Sequence, residues 1–216
     1  MIRDAGVRIT GAVAAWIGDY AARQYGDLAT DLLREAVEAW HREGFARLDD
    51  HEVNCTIRIY DWCDRIIAQN RSSWPAMRVT YDAPLPSAAM RRGTMDASRS
   101  ARPDLWIWVG GRPVLVEAKR LAATGDLARR YVTEGMMRFF SGHYSTNGSV
   151  SGFMLSYSVN NCVSDSMATV NVRIRNILDD GESRCVMFQS HLGPALDLYL
   201  SASVPDCGLL HFAVEM

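Results

Sequence analysis

The 216-residue sequence has no apolar run as long as a membrane-spanning helix requires. Its first residues, Met1 to Asp4, lack the basic-then-apolar pattern that begins a secretory signal peptide. The five cysteines, at positions 55, 63, 162, 185 and 207, are scattered, odd in number and without a Cys-x-x-Cys pair. They therefore indicate neither a disulfide framework nor a zinc site. Together these absences predict a cytoplasmic protein whose thiols are reduced and which has no membrane partner.

The sequence also lacks a basic excess. It has 23 lysine and arginine residues against 25 aspartate and glutamate residues, which gives a formal net charge of −2. A protein that grips duplex DNA through its phosphates usually carries an excess of positive charge. Any nucleic acid must therefore be bound through a local basic patch, weakly, or with the help of a partner protein.

Signatures of nucleophilic catalysis and of transition-metal binding are missing as well. The five histidines show no metal-ligand spacing. Ser190-His191 and His211 have no Gly-x-Ser-x-Gly motif and no recognisable acid partner along the chain. We therefore expect both histidines to be structural.

What remains is an ordinary globular composition, 48% hydrophobic and 22% charged, which fits one domain. Apolar periodicity separates helices from strands, and Gly26-Asp27 is expected to divide two helices near the start of the chain. Helices are predicted at 12–25, 28–42, 49–70 and 126–140, strands at 77–81, 105–109, 114–116, 150–159, 185–189, 195–200 and 209–214, and either a strand or a short helix at 169–178.

The segment 102–119 is the most informative part of the chain. Two apolar runs, rich in aromatic and β-branched residues, are joined by Gly110-Gly111, which is a strong hairpin signal. Asp104 precedes the first run, while Glu117 and Lys119 close the second. Buried charge is costly unless it is paired or bound to a metal, so three charges at the ends of apolar strands indicate a site.

The length of the hairpin loop decides which residues face each other. A four-residue loop pairs Val109 with Val114, and Asp104 then faces Lys119. A two-residue Gly-Gly loop places Asp104 opposite Glu117 instead. Because strand side chains alternate between faces, either even loop puts the three charged residues on one face, whereas an odd loop or a bulge would separate them.

Two carboxylates at one end of a hairpin form a binding site for a hard divalent cation. Mg²⁺ prefers oxygen ligands and keeps several waters, so Asp104 and Glu117 would suffice, with Mn²⁺ as a plausible substitute. A cation there can polarise a phosphoryl oxygen and activate a water. Lys119 would add positive charge beside that water and could orient or deprotonate it.

Pro103-Asp104 and Glu117-Ala118-Lys119, on consecutive strands, resemble the motifs of the PD-(D/E)XK nuclease superfamily, the restriction-endonuclease-like fold. The predicted order over 50–160, helix, three strands, helix, strand, is similar to the core of that superfamily. The resemblance implies an α/β fold with a mixed sheet flanked by helices. It also implies Mg²⁺-dependent hydrolysis of phosphodiester bonds, with Asp104 and Glu117 as metal ligands and Lys119 as the catalytic lysine.

The resemblance further implies one nuclease domain over 1–216, with a helical extension at 1–48, the core at 49–160 and a mainly β extension at 161–216. DNA is the expected substrate. The chain is expected to act as a homodimer or as a subunit of a larger complex, in prokaryotic restriction or antiphage defence. The alternatives are a catalytically silent nucleic-acid-binding or scaffold module, an RNA- or structure-specific nuclease, and a plain surface hairpin with a Glu117–Lys119 ion pair.

Glu52 has two interpretations. Many members of the superfamily carry an additional metal-site glutamate on the helix before the core strands, and the resemblance places Glu52 there, in the catalytic site. Alternatively, Asp49-x-x-Glu52 forms a capping box, in which Glu52 caps its own helix.

Substrate contacts are predicted around the carboxylates. Arg138 is the first candidate for a phosphate contact, followed by Arg130 and Arg102. Arg130, Glu134 and Arg138 stand four residues apart, so exposed salt bridges on one helical face are the competing interpretation. Gly135 inside this helix indicates a close approach of another chain or of a substrate backbone. Two tyrosines, Tyr131 and Tyr144, are expected to pack rather than to stack on bases.

Overall fold

We describe the fold from a computed structural model. Within the described residues, no helix is long and apolar enough to span a membrane. The residues described are 15–44, 51–74, 76–84, 88–92, 94–96, 100–122, 125–141, 143–144, 152–158, 163–177, 188–193, 196–203 and 207–216.

The described part of the chain opens with a long helix. Helix α1, Ala15–Glu43, is continuous through Gly26, so the predicted break into two helices is wrong. A glycine in a helix interior costs about 1 kcal/mol relative to alanine, and the apolar stripe that α1 buries outweighs that cost. Gly44 ends the helix with a φ of +87°. The fully buried residues of this stripe are Ala29, Leu32, Leu33, Ala36 and Trp40.

Helix α2 and the short helix α3 precede the hairpin. The described elements then alternate between strands and helices. They are α2 (Glu52–Gln69), β1 (Met77–Tyr81), α3 (Ala88–Arg91), β2 (Leu105–Val109), β3 (Arg112–Leu121), α4 (Leu127–Arg130), a π-helical segment (Tyr131–Met136), α5 (Met137–Phe140), β4 (Gly152–Ser158), α6 (Val163–Ile177), β5 (Phe188–Gly193), β6 (Leu196–Ser203) and β7 (Cys207–Glu215).

One seven-stranded mixed sheet joins all these strands in the order β1-β2-β3-β4-β7-β6-β5. Strands β3, β4 and β7 run parallel to one another, and the remaining neighbours are antiparallel. The predicted α/β class, with a mixed sheet flanked by helices, is confirmed. The C-terminal strands, which we expected outside the core, continue the same sheet because β7 pairs with β4. Of the ambiguous stretch 169–178, residues 169–177 belong to helix α6, and residue 178 lies outside the described part of the chain.

Helices cover both faces of the sheet. Val116 and Ala118 of β3 pack with α1 and α2 on one face. Leu121 of β3 and Met154 of β4 pack with α6 and the π-helical segment on the other. Because side chains alternate along a strand, Glu117 and Lys119 share the second face with Leu121.

Candidate active site

The hairpin closes with a two-residue loop. Gly110 and Gly111 both have positive φ, +56° and +82°, as the tightest hairpin turn that fits the twist of a sheet requires. Val109 faces Arg112 and Leu105 faces Val116, so one further step places Asp104 opposite Glu117. Of the two registers that the sequence left open, the one with Asp104 opposite Lys119 is therefore wrong.

Strand β3 is longer than the apolar run predicts. It extends to Leu121, because the parallel neighbour β4 pairs with it up to Leu121↔Ser158. Glu117 and Lys119 consequently lie within a central strand rather than after its end. Their backbone pairs with β4 on one side, and on the other side the N–H groups of Ala118 and Arg120 are held by the side chains of Asp104 and Glu52. These bonds fix the direction of both side chains.

Glu117 is the most buried charged group of the site, with 0% of its side chain exposed. Its Oε1 lies 2.9 Å from Nζ of Lys119 and accepts a hydrogen bond of 2.6 Å from Arg138. Its Oε2 accepts a short hydrogen bond from the hydroxyl of Tyr144. Both carboxylate oxygens are therefore held, which compensates for taking the charge out of water.

Lys119 connects two carboxylates. Its Nζ contacts Glu117 and also donates to Oε1 of Glu52 at 3.2 Å and to the carbonyl of Ala118 at 2.7 Å. Burial disfavours the ammonium, but Glu117 and Asp104 attract it more strongly, and the net effect raises the pKa of Lys119. Lys119 is therefore an ammonium at neutral pH, suited to hold a water or an anion rather than to remove a proton.

Asp104 is held by the strand it faces. Its Oδ2 accepts a hydrogen bond of 2.7 Å from the backbone N–H of Ala118. Burial, followed by repulsion from Glu117, raises the pKa of Asp104 to about 7. Burial and the charge of Glu117 thus outweigh the attraction of Lys119, and an added cation would favour the ionised form of Asp104.

Glu52 joins the site from the other side of the sheet. It is the first residue of α2, directly after the N-cap His51, whereas a capping box requires the glutamate three residues after the cap. Its Oε2 accepts from the backbone N–H of Arg120 at 2.9 Å, and its Oε1 contacts Lys119. The capping-box interpretation is therefore wrong, and its other residue, Asp49, lies outside the described part of the chain.

The π-helical segment decides where Arg138 lies. Arg130 and Glu134 form an exposed ion pair of 2.9 Å, as the salt-bridge interpretation predicts. Arg138 instead bonds Glu117. The i→i+5 turns between 131 and 136 contain more residues per turn than an α-helix, so the residues that follow are rotated about the helix axis. The prediction that all three residues share one face is wrong for this reason.

Gly135 lets this helix approach the sheet closely. A Cβ at this position would lie 2.6 Å from Cε of Met154 and 3.4 Å from Cγ of Lys119. The close approach inferred from the sequence is therefore to strands β3 and β4, and not to another chain or a substrate.

The structure adds Tyr144, which sequence reasoning treated as a packing residue. Its buried ring packs edge-on against Phe139 at 5.0 Å, so the packing prediction is confirmed, but its hydroxyl also holds Glu117. Tyr131 packs as predicted and is fully buried. No spacing signal links Tyr144 to Glu117 across 27 positions, and only the fold brings them together.

Two arginines near the site have different surroundings. Arg102 is exposed and pairs with Asp82 at 3.7 Å. Arg120 follows the lysine, and its Nε is buried without a hydrogen-bond partner. Among the described residues no carboxylate pairs with Arg120, one of the basic residues that follow Lys119 in the sequence, and strand alternation turns its side chain to the face opposite that of Lys119.

A compositional signal supports the importance of position 119. Of the 23 basic residues in the sequence, 22 are arginine, and Lys119 is the single lysine. Arginine and lysine differ in shape, hydration and the ease with which their pKa moves. Because the remaining 22 basic positions are all arginine, the lysine at position 119 indicates a property that arginine lacks.

The carboxylates of Asp104 and Glu117 have the oxygen-ligand chemistry that a hydrated divalent cation prefers. Within the described residues, no group of three or more His, Cys, Asp or Glu side chains could hold a metal ion. Asp104 nevertheless faces Glu117, and a nearby cation would favour the ionised form of Asp104, whose pKa burial raises. Mg²⁺ needs only one or two protein carboxylates because it keeps its waters. The role of Glu52 as a third ligand stays a prediction.

The site therefore brings two carboxylates together with a fixed ammonium and the guanidinium of Arg138. A scan against models of known protein families found no match, and a search of curated proteins found no significantly similar sequence.

Proposed function

We propose that this chain is a Mg²⁺-dependent endonuclease of PD-(D/E)XK, restriction-endonuclease-like type that hydrolyses phosphodiester bonds of nucleic acid, with DNA as the substrate. One observation carries the proposal. Asp104 faces Glu117 across β2 and β3, and Lys119 lies two residues further on the same face, in ionic contact with Glu117.

The order of elements around the carboxylates also supports the proposal. Helix α2, strand β1, the short helix α3, strands β2 and β3, the helical stretch from α4 to α5 and strand β4 follow one another. The three strands form an antiparallel meander, and β4 joins β3 in parallel. The order of helix, three strands, helix and strand in a mixed sheet is the order that the resemblance to the superfamily implies.

The proposed mechanism assigns a task to each side chain. A divalent cation held by Asp104 and Glu117 would polarise a phosphoryl oxygen and lower the pKa of a water. Lys119, fixed by Glu117 and Glu52, would hold the attacking water and balance the charge that develops on the phosphorus oxygens. Tyr144 would keep the carboxylate of Glu117 in one orientation.

In the proposed function, phosphates are bound by arginines close to the carboxylates rather than by the overall charge of the protein. The net charge of −2 gives no general attraction to nucleic acid, so arginines around the carboxylates must supply it. Arg138 contacts Glu117 of the site, while Arg130 is engaged by Glu134 at the surface. Assembly as a homodimer or within a prokaryotic defence complex would add the remaining affinity.

The proposal is tested by nicking of supercoiled plasmid DNA with Mg²⁺. We compare wild type with Asp104→Ala and with the matched control Asp61→Ala, since Asp61 is a surface aspartate paired with Arg65. Wild type and the Asp61 variant should nick, and the Asp104 variant should lose at least about 10²-fold in rate. Equal nicking by wild type and the Asp104 variant would rule out this site.

A catalytically silent nucleic-acid-binding module is the second candidate. The observation in its favour is that both oxygens of Glu117 are contacted by protein groups. No nicking by wild type, together with tight binding of labelled DNA or RNA, would favour it. A panel of single-stranded, duplex and branched DNA and of RNA would distinguish a DNA nuclease from an RNA- or structure-specific one.

A further inference from the structure

Two positive groups converge on one carboxylate oxygen. Arg138 lies 2.6 Å and Lys119 lies 2.9 Å from Oε1 of Glu117. This oxygen belongs to one of the two residues that would hold a divalent cation. A cation can bind Glu117 there only if one of the two positive groups moves, because three positive charges around one oxygen repel one another.

Exposure decides which group can move. The side chain of Lys119 is 10% exposed and is also held by Glu52 and by the carbonyl of Ala118. The side chain of Arg138 is 39% exposed and lies in the last helical turn before residue 141. Its second contact, the hydroxyl of Tyr144 at 3.0 Å, is a neutral group. Arg138 is therefore the group with a path to solvent.

Charge balance indicates where Arg138 goes. The site contains three carboxylates, Asp104, Glu117 and Glu52, and two cations, so its formal charge is −1 when Asp104 is ionised. Adding a divalent cation makes the charge +1, and adding one phosphodiester restores neutrality. A phosphate would therefore offer Arg138 a new negative partner when the cation displaces Arg138 from Glu117.

From these observations we infer that Arg138 occupies the cation-binding oxygen of Glu117 in the metal-free protein and transfers to a phosphate of the nucleic acid when the cation binds. The inference rests on the proposed function. Tyr144 keeps Oε2 of Glu117 throughout, so the carboxylate stays in place while its partner on Oε1 changes. Arg138 thus acts as a gate, in the sense that it competes with the cation for Glu117 and lowers the affinity for the ion. In the loaded enzyme it contacts the substrate.

Metal affinity without nucleic acid tests the first half of the inference. We titrate Mn²⁺ into wild type, Arg138→Gln and the matched control Arg129→Gln by calorimetry, since Arg129 is on the same helical stretch and pairs with Asp126 at the surface. Arg138→Gln should bind Mn²⁺ about tenfold more tightly than wild type, because no guanidinium has to be displaced. Arg129→Gln should match wild type.

The results separate the inference from the proposed function. If wild type and Asp104→Ala show the same Mn²⁺ binding, the proposed metal site fails. If wild type binds at Asp104 but Arg138→Gln binds equally or more weakly, only the gate is overturned.

Nucleic-acid binding tests the second half. With Ca²⁺ in place of Mg²⁺, the affinity for a labelled DNA duplex is measured against salt concentration. Arg138→Gln should lower the slope of log K against log salt by about 1, as loss of one phosphate contact predicts. An unchanged slope would contradict the transfer to phosphate.

A measurement on wild type covers the case in which Arg138→Gln does not fold. Modification by an arginine-specific dicarbonyl reagent is mapped by mass spectrometry with and without Mn²⁺. Arg138 should react several-fold faster with Mn²⁺, while Arg129 should not change. An Arg138 that reacts equally in both conditions would overturn the inference.

Discussion

At position 119 the chain places an ammonium between the carboxylates of Glu117 and Glu52. The side chain lies under the π-helical segment, close to Gly135. A planar guanidinium is larger and makes its hydrogen bonds in a fixed fork. The space and the contacts at this position therefore suit lysine alone.

We expect Lys119→Arg to reduce plasmid nicking by about 10²-fold, although the charge is kept. The guanidinium cannot occupy the position of Nζ without displacing Glu117 or Glu52. The rate of nicking at saturating Mg²⁺ checks this, with Arg65→Lys on the surface of α2 as the control. A Lys119→Arg variant as fast as wild type would show that position 119 needs only positive charge.

Single residues were predictable where strand alternation applies. Asp104, Glu117 and Lys119 could be placed on one face because their spacing is regular along β-strands, and either even loop gave the same result. Arg138 and Tyr144 lie 21 and 27 positions from Glu117, and their contacts depend on tertiary packing. Glu52 could not be assigned because its capping role depends on where α2 begins.

Among the elements, the helical stretch between β3 and β4 has the most influence on the site. Its π-helical turn brings Tyr131 and Gly135 onto the sheet and directs Arg138 towards Glu117. Phe139 of the same stretch supports the ring of Tyr144. The stretch therefore positions two of the three groups that bond Glu117.

Gly152 keeps this support in place, and we expect Gly152→Ala to destabilise the protein by about 1–3 kcal/mol, as overpacking does. A Cβ at this position would overlap the ring of Phe139 and lie 2.8 Å from Cδ2 of Leu209. Unfolding in urea checks the change in free energy of unfolding.

Gly26→Ala is the matched control, because a Cβ there meets nothing within 4 Å in the interior of α1. That variant should be stabilised by about 0.5–1 kcal/mol. If both variants change stability in the same direction, contact at Phe139 is not the cause.

Elements were predicted well where periodicity is strong. Strand β1 has the predicted bounds, and the helical stretch after β3 begins and ends within one residue of the prediction. The break at Gly26 was wrong because burial outweighed a local preference. A π-helical turn has no sequence pattern of its own, so the rotation of Arg138 could not be predicted.

Across the whole molecule, stability should depend on a buried histidine in the centre of the sheet. His211 of β7 is fully buried, and the hydroxyl of Tyr131 lies 2.7 Å from its Nδ1. Burial lowers the pKa of His211 to about 3, from about 6.5 in the unfolded chain. Between these values the unfolded state binds more protons, so stability falls as the pH falls.

When the pH is lowered from 7.5 to 5, the free energy of unfolding should fall in wild type and in His211→Gln. We expect the fall to be about 2 kcal/mol smaller in His211→Gln, which has no imidazole to protonate. The stabilising contribution of the neutral ring is fully present above about pH 6.5 and is lost as the pH falls towards 3. Urea unfolding at both pH values measures the difference, in which the other titrating groups cancel. Parallel losses in the two proteins would contradict it.

The overall architecture was predictable only in part. Alternating helices and strands indicated the α/β class, and the motif placed β2 and β3 side by side. The pairing of β7 with β4 joins residues more than fifty positions apart, and no local signal reports it. The extension of the sheet by β5, β6 and β7 therefore could not be foreseen.

The single lysine has a consequence for how the protein can be probed. An endoproteinase specific for lysine has one peptide bond to cleave, between Lys119 and Arg120, in a strand bonded on both sides. Cleavage requires that strand to leave the sheet, so its rate follows the population of opened molecules when reclosing is fast. The rate of this single cleavage would thus report the opening free energy of the strand that carries the site. Slower cleavage in the presence of Mn²⁺ would report that the ion binds the closed strand.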